Sequence, residues 1–124
     1  MTTLHVSGTS YLHTTYVNSP LYYNSDERLK KRIRKLPFDS LAFLADLKPV
    51  AFQWKRNGED LIGLLAQDVQ RAEKKHRLVG TMVSGGAEDG MLALAYDQLI
   101  PVLIDAVNTL SAKVRVLEQA QVKA

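Results

Sequence analysis

The 124-residue chain contains no cysteine. No disulfide can staple it, and no thiolate is available as nucleophile or metal ligand. Histidine is scarce. His5, His13 and His76 lack the close spacing of a metal-ligand set, so each reads as structural or solvated, and no metal or cofactor is expected. No apolar run approaches the ~20 residues of a membrane helix. The stretch MTTLHVSGTS has neither the basic nor the apolar region of a secretory signal. A soluble protein made in the cytoplasm, with no membrane partner, is expected. Gly85-Gly86 and Gly90 are not followed by Gly-Lys-Ser/Thr, so no phosphate loop and no small-molecule substrate is implied. No repeat of 20–50 residues is present.

One absence is local. Residues 1–24 hold no Asp, Glu, Lys or Arg. They are rich in Thr, Ser and Tyr, with partial alternation around Leu4 and Val6 and through Tyr11-Leu12-His13-Thr14-Thr15-Tyr16-Val17. That pattern predicts short extended strands. Such a segment cannot form a core alone and has to pair with another chain or with upstream sequence.

The length suggests one compact domain with one or two appendages, and the 46% apolar content a modest core. At Ser25 the composition changes. Asn24-Ser25-Asp26-Glu27 predicts a helix start, with a capping Ser and two first-turn acids. The basic run Arg28, Lys30, Lys31, Arg32, Arg34, Lys35 follows, and Pro37 stops or interrupts the helix. The net charge of +3 is too small to imply a nucleic-acid partner. The basic run also has no interleaved aromatics and adjoins Asp26 and Glu27, so none is expected.

Further along, Leu41, Phe43, Leu44 and Leu47 mark a second short helix within Phe38 to Leu47, ended by Lys48-Pro49. Val50 to Trp54 and Asp60 to Leu65 flank Asn57-Gly58, a tight-turn hairpin signal. A helix is expected over Ala66 to His76. Two strands are expected at Thr81 to Val83 and Met91 to Leu94, around a Gly-rich turn from Ser84 to Gly90.

The strongest periodicity is C-terminal. Ile100, Leu103, Val107, Leu110, Val114 and Leu117 are spaced 3, 4, 3, 4, 3, a heptad seam with β-branched residues at a and Leu at d. Lys113 falls at g and Glu118 at the following e, which favours parallel assembly. The competing reading is a single amphipathic helix packed on its own domain. Ile or Val at a with Leu at d leans towards two strands, whereas Ile104 and Ala106 widen the first heptad's apolar face. Dimer and trimer both stay open. Pro101 has to lie in the helix's first turn or kink it.

Four blocks resemble the intramolecular chaperone, or peptidase S74, domain. This domain ends phage endosialidase tailspikes, some tail fibres and neck appendages, and occurs within an animal membrane-bound transcription factor. Ser25-Asp26-Glu27-Arg28-Leu29-Lys30 is similar to its S-D-x-R-L-K signature. Leu47 to Trp54 resembles L-x-P-V-x-F-x-W, and Ile62 to Val69 resembles I-G-hydrophobic-hydrophobic-A-Q-E/D-V. Tyr96 to Leu103 resembles Y-x-x-L-I-P-x-L, the start of the family's last helix.

The resemblance implies a homotrimer, a β-rich stalk upstream, and cleavage once the stalk has folded. The fold class expected is α+β, with short helices, small antiparallel hairpins and a long C-terminal helix in a parallel trimeric coiled coil. Residues 1–24 are then the stump of the stalk, 25–95 the chaperone and auto-processing core, and 96–124 the coiled-coil helix. The implied function is folding and trimerisation of a tail fibre or tailspike, followed by self-release. The implied setting is the host cytoplasm during virion assembly, with the parent protein in the virion tail. A non-catalytic trimerisation and registration module is the alternative.

The family's catalytic dyad maps onto Ser25 and Lys30, and the expected cut is Asn24–Ser25. A serine hydroxyl needs a base, and a protonated lysine cannot be one. Lys30 has to lose its proton, which desolvation and the positive neighbours Arg28, Lys31, Arg32 and Arg34 favour. Residues five apart on a regular helix lie about 140° from each other. Ser25 therefore stands at or before the cap with the chain bending back, or the lysine comes from a neighbouring chain. Free N–H groups at the helix start are candidates for stabilising the oxyanion.

Overall fold

The computed structural model describes residues 2–78, 82–85 and 89–123. The chain divides into two compact units, Met1–Ile33 and Arg34–Ala124.

In the first unit, residues 2–24 carry no helix and no strand ladder. The expected strands are not formed by this chain alone. Leu4, Tyr11, Leu12, Tyr16 and Tyr22 are all strongly exposed. The helix expected from Ser25 towards Pro37 is also not formed. A single 3₁₀ turn, Glu27–Leu29, takes its place, capped by Asp26 rather than Ser25. Local charge explains the difference. A helix would stack Arg28 on Arg32, Lys30 on Arg34 and Lys31 on Lys35, all like-charged pairs four residues apart. The chain instead leaves the turn at Lys30 in an extended conformation and places Arg32 in the left-handed region (φ 56°).

The second unit is α+β. Helix α1, Ser40–Ala45, starts where the Asp39 side chain accepts from Ala42 N–H at 3.1 Å. Strands β1, Val50–Gln53, and β2, Asp60–Gly63, pair antiparallel with Val50 opposite Gly63 and Gln53 opposite Asp60. The connection is wider than the two-residue turn expected from Asn57-Gly58. Only Gly58 takes a positive φ (69°), whereas a type I′ turn needs it at both central residues. Gly58 N–H bonds back to Trp54 O at 2.8 Å, and Asn57 Oδ1 accepts from Glu59 N–H at 2.9 Å.

Helix α2, Ala66–His76, has the expected bounds. Arg77 ends it in the left-handed conformation (φ 54°), and Leu78 N–H bonds to Glu73 O at 3.0 Å, a Schellman-type stop. Strands β3, Val83–Ser84, and β4, Ala93–Leu94, form the second small antiparallel hairpin. Thr81 and positions 86–88 of the expected turn lie outside the described residues. Helix α3, Leu99–Lys123, carries Pro101 in its first turn, where no intrahelical donor is lost.

The core lies between α1, α2, α3 and β3, built from Phe43, Val69, Ala72, Met82, Val83 and Val102. Phe43 is 0% exposed and meets Phe38 and His76 edge-on at 5.6 and 5.8 Å. Phe43→Ala removes the largest of these side chains. A loss of about 3–5 kcal/mol is expected in a denaturant titration.

A polar contact ties α1 to α2. His76 Nε2 lies 2.5 Å from Asp46 Oδ2, and Lys75 Nζ lies 3.1 Å from the same oxygen. The hydrogen bond with His76, and then that with Lys75, hold the Asp46 carboxyl below the ordinary carboxylate range. A depressed folded-state value means stability that is present above the unfolded value of about 3.9 and lost as pH falls through the folded one. Asp46→Asn is therefore expected to be less stable than the natural chain at neutral pH. The gap should close as pH drops below about 4. Urea titrations across that range check this; a gap independent of pH contradicts it.

Candidate functional site

The site begins with the turn around Asp26. Asp26 is extended (φ −62°, ψ 134°) and its Oδ1 accepts from Arg28 N–H at 2.9 Å. Leu29 N–H then bonds to Asp26 O at 3.0 Å and Lys30 N–H to Glu27 O at 3.1 Å, closing one tight turn. Ser25 stands just before this turn and Lys30 just after it. The lysine side chain reaches back across the turn, and Nζ donates to Ser25 Oγ at 2.6 Å. The two groups meet within one chain and without sharing a regular helix. Both are exposed in the single chain.

The electrostatics differ from the sequence expectation in one respect. Arg28 does not simply add positive field beside Lys30. Its Nε donates to Asp26 Oδ1 at 3.0 Å and its Nη2 to Asp26 Oδ2 at 2.9 Å, a two-point fork. The side-chain bond from Arg28, then the backbone one, hold the Asp26 carboxyl below its usual range. The same carboxylate holds the Arg28 guanidinium above its own. Lys31, Arg32 and Arg34 are the remaining positive neighbours in sequence. The Arg28 N–H is committed to Asp26 and so is not free for an oxyanion. Asn24, on the other side of the expected cut, is exposed and outside any helix or strand.

The second candidate surface is on α3. Ile100, Leu103, Val107, Leu110, Val114 and Leu117 all stay open to solvent, at 49% to 64% exposure. The helix packs on its own unit through another stripe, where Val102 and Ala106 are 2% and 3% exposed. At about 100° per residue the two stripes lie roughly 80° apart around the helix. Ala106, read from sequence as widening the seam, is used up inside the chain, whereas Ile104 remains exposed.

The histidines separate. His76 is wedged against Asp46 and Phe43, while His5 and His13 lie exposed in the first unit. Among the described residues no cluster of His, Asp and Glu is placed to hold a metal ion, and no helix is long and apolar enough to cross a membrane.

Some contacts escaped the sequence reading. Glu73 is buried, and its carboxylate accepts from Met82 N–H at 2.8 Å, anchoring the entry to β3. The Tyr96 hydroxyl accepts from Leu64 N–H at 2.9 Å and donates to Leu64 O at 3.3 Å. This joins the end of β2 to the turn that precedes α3. A Cβ on Gly63 would fall 2.6 Å from that hydroxyl and 3.3 Å from the Phe52 ring. The Ile62-Gly63 and Tyr96 blocks thus meet in space. Gly63→Ala should displace the Tyr96 ring and cost about 1–3 kcal/mol in thermal or urea unfolding, the usual range for overpacking.

No curated protein and no solved structure matches the chain. One family model does, over residues 25–78, somewhat under half of the chain. That stretch contains three of the four sequence blocks, including the whole Ser25–Lys30 turn, the β1–β2 hairpin and α2. The family description is that of a chaperone, which supports a chaperone role for this segment; the family name is that of a peptidase class. Residues 25–78 are thus similar to the Peptidase_S74 family, described as a chaperone of endosialidase.

Proposed function

We propose that this chain is an intramolecular chaperone of a phage tail fibre or tailspike. It assembles as a homotrimer, assists the folding of the upstream stalk, and then releases itself by cutting Asn24–Ser25. The observation that carries the proposal is the 2.6 Å contact between Lys30 Nζ and Ser25 Oγ in a segment matching the Peptidase_S74 family.

The chemistry balances as an acyl shift followed by hydrolysis. Neutral Lys30 takes the proton from Ser25 Oγ, and the oxygen attacks the Asn24 carbonyl carbon through a five-membered ring. The Asn24–Ser25 C–N bond breaks, and the proton passes to the departing Ser25 nitrogen. The resulting ester joins Asn24 to Ser25 Oγ. Water hydrolyses it, leaving a carboxylate on Asn24 and restoring the hydroxyl. In the single chain the amine donates to the hydroxyl. The reaction needs the reverse, which desolvation on trimer assembly favours by opposing the charged amine. Cutting is then conditional on folding.

Two features support assembly. The α3 seam is apolar, periodic and left open by the chain's own packing. Residues 2–24 expose large apolar side chains with no charge to solvate them, as a strand segment awaiting partner copies would.

The exposure of both Ser25 and Lys30 favours the other reading, a registration module that trimerises and is never cut. A gel comparison of the natural chain with Ser25→Ala separates the two. Fragments from the natural chain alone support the self-cleaving reading. Identical intact bands from both support the module.

A further inference from the structure

The Ser25–Lys30 contact closes over five residues, and neither side chain is secured by itself. Lys30 is held by four rotatable side-chain bonds, and Ser25 lies in an exposed stretch with no helix or strand. What fixes their separation is the turn between them. Three of its bonds converge on one carboxylate. Asp26 accepts the Arg28 backbone N–H, the Arg28 Nε and the Arg28 Nη2, all within 3.0 Å.

We propose that Asp26 and Arg28 are positioning residues, a clamp that holds the 3₁₀ turn closed so that Lys30 is returned to Ser25. This rests on the self-cleaving reading for its consequence, though not for its geometry.

Each partner has a distinct task. Asp26 is the N-cap, so its carboxylate satisfies a donor the turn leaves open. The Arg28 fork then fixes the plane of that carboxylate at two points, which a single-point lysine cannot do. An exposed ion pair contributes little to global stability, since solvent screens it. Its effect falls on placement, where about 1 Å of error costs a reaction up to ~100-fold. The clamp should therefore show in the rate and not in the melting temperature.

The test uses the full chain with Asp26→Ala, Asp26→Asn, Arg28→Ala and the Asp26→Ala/Arg28→Ala pair. Asn keeps an acceptor for the Arg28 N–H but loses the charged fork. Cleavage is expected to slow about 100-fold with Asp26→Ala and about 10-fold with Asp26→Asn or Arg28→Ala. The double variant should be no slower than Asp26→Ala, because both residues act through one device. Chain count and thermal midpoint should stay at the natural values.

A second readout does not depend on cutting. A brief pulse of acetic anhydride on freshly made, uncut chain labels free amines, and tandem mass spectrometry resolves Lys30 from Lys31. In the natural chain Lys30 should label several-fold more slowly than Lys31, and Asp26→Ala should abolish the difference. If the natural chain is never cut, the self-cleaving reading fails and the labelling ratio alone judges the clamp. If it is cut, and Asp26→Ala is cut as fast with an unchanged labelling ratio, the clamp is overturned while the self-cleaving reading stands.

Discussion

Lys30→Met is expected to leave the chain uncut while changing neither its assembly nor its fold. Among the described residues Lys30 makes one polar side-chain contact, the 2.6 Å bond to Ser25 Oγ, and it is exposed. Its removal should therefore cost little stability. Loss of the base should cost about 10²–10⁴ in rate, the range general bases supply. Lys30→Arg makes the test sharper. A guanidinium keeps the positive charge and can still donate to the hydroxyl, yet it does not give up its proton in a protein. If Lys30 serves only to orient or polarise Ser25, Lys30→Arg should cut at an appreciable rate. If it is the base, Lys30→Arg should be as inert as Lys30→Met. Time courses followed by intact mass distinguish these outcomes.

Leu103→Asp with Leu110→Asp is expected to abolish the proposed trimer and leave a folded monomer. These residues sit on the outward stripe of α3, about half exposed, and are not members of the core built around Phe43 and Val69. In an assembled seam each leucine would bury about 1.5–3 kcal/mol worth of apolar surface. Two unpaired carboxylates there cost far more than the lost contacts. Val102→Asp, one position before Leu103, should behave in the opposite way. It puts the charge into the unit's own core and should unfold the chain. Light scattering gives the chain count and circular dichroism the helix content. Since cutting is proposed to await assembly, the Leu103/Leu110 variant should also remain uncut. A trimer from it would show that another surface drives association.

The contrast between those two adjacent positions shows how far the sequence could be read. A 3-4 spacing is a statement about one stripe of one helix, so α3 and the apolar stripe it leaves exposed from Ile100 to Leu117 were legible. Which apolar stripe faces the chain's own core is a tertiary matter. Ala106 was assigned to the seam because nothing local separates it from Ile104. Helix α2 was legible because periodicity and the basic last turn agree over its full length. The stretch after Ser25 misled for the reverse reason. Its capping signals were genuine and one cap did form, at Asp26, but repulsion along the basic run stopped propagation after a single turn. The pairing of Ser25 with Lys30 came from the family signature together with the angular argument against a shared helix. The Asp26–Arg28 fork was hidden, because two neighbouring opposite charges on a surface rarely signal anything by themselves. The Tyr96–Leu64 and Glu73–Met82 contacts were hidden because each is fixed only once distant segments have packed.

Everything proposed here turns on a serine hydroxyl attacking the carbonyl on its own N-terminal side. The most direct measurement is the intact mass of any C-terminal fragment that the natural chain releases once it has assembled in solution. A fragment whose first residue is Ser25 is the expected result. A fragment beginning at Asp26, or an assembled natural chain that stays whole, contradicts the proposal.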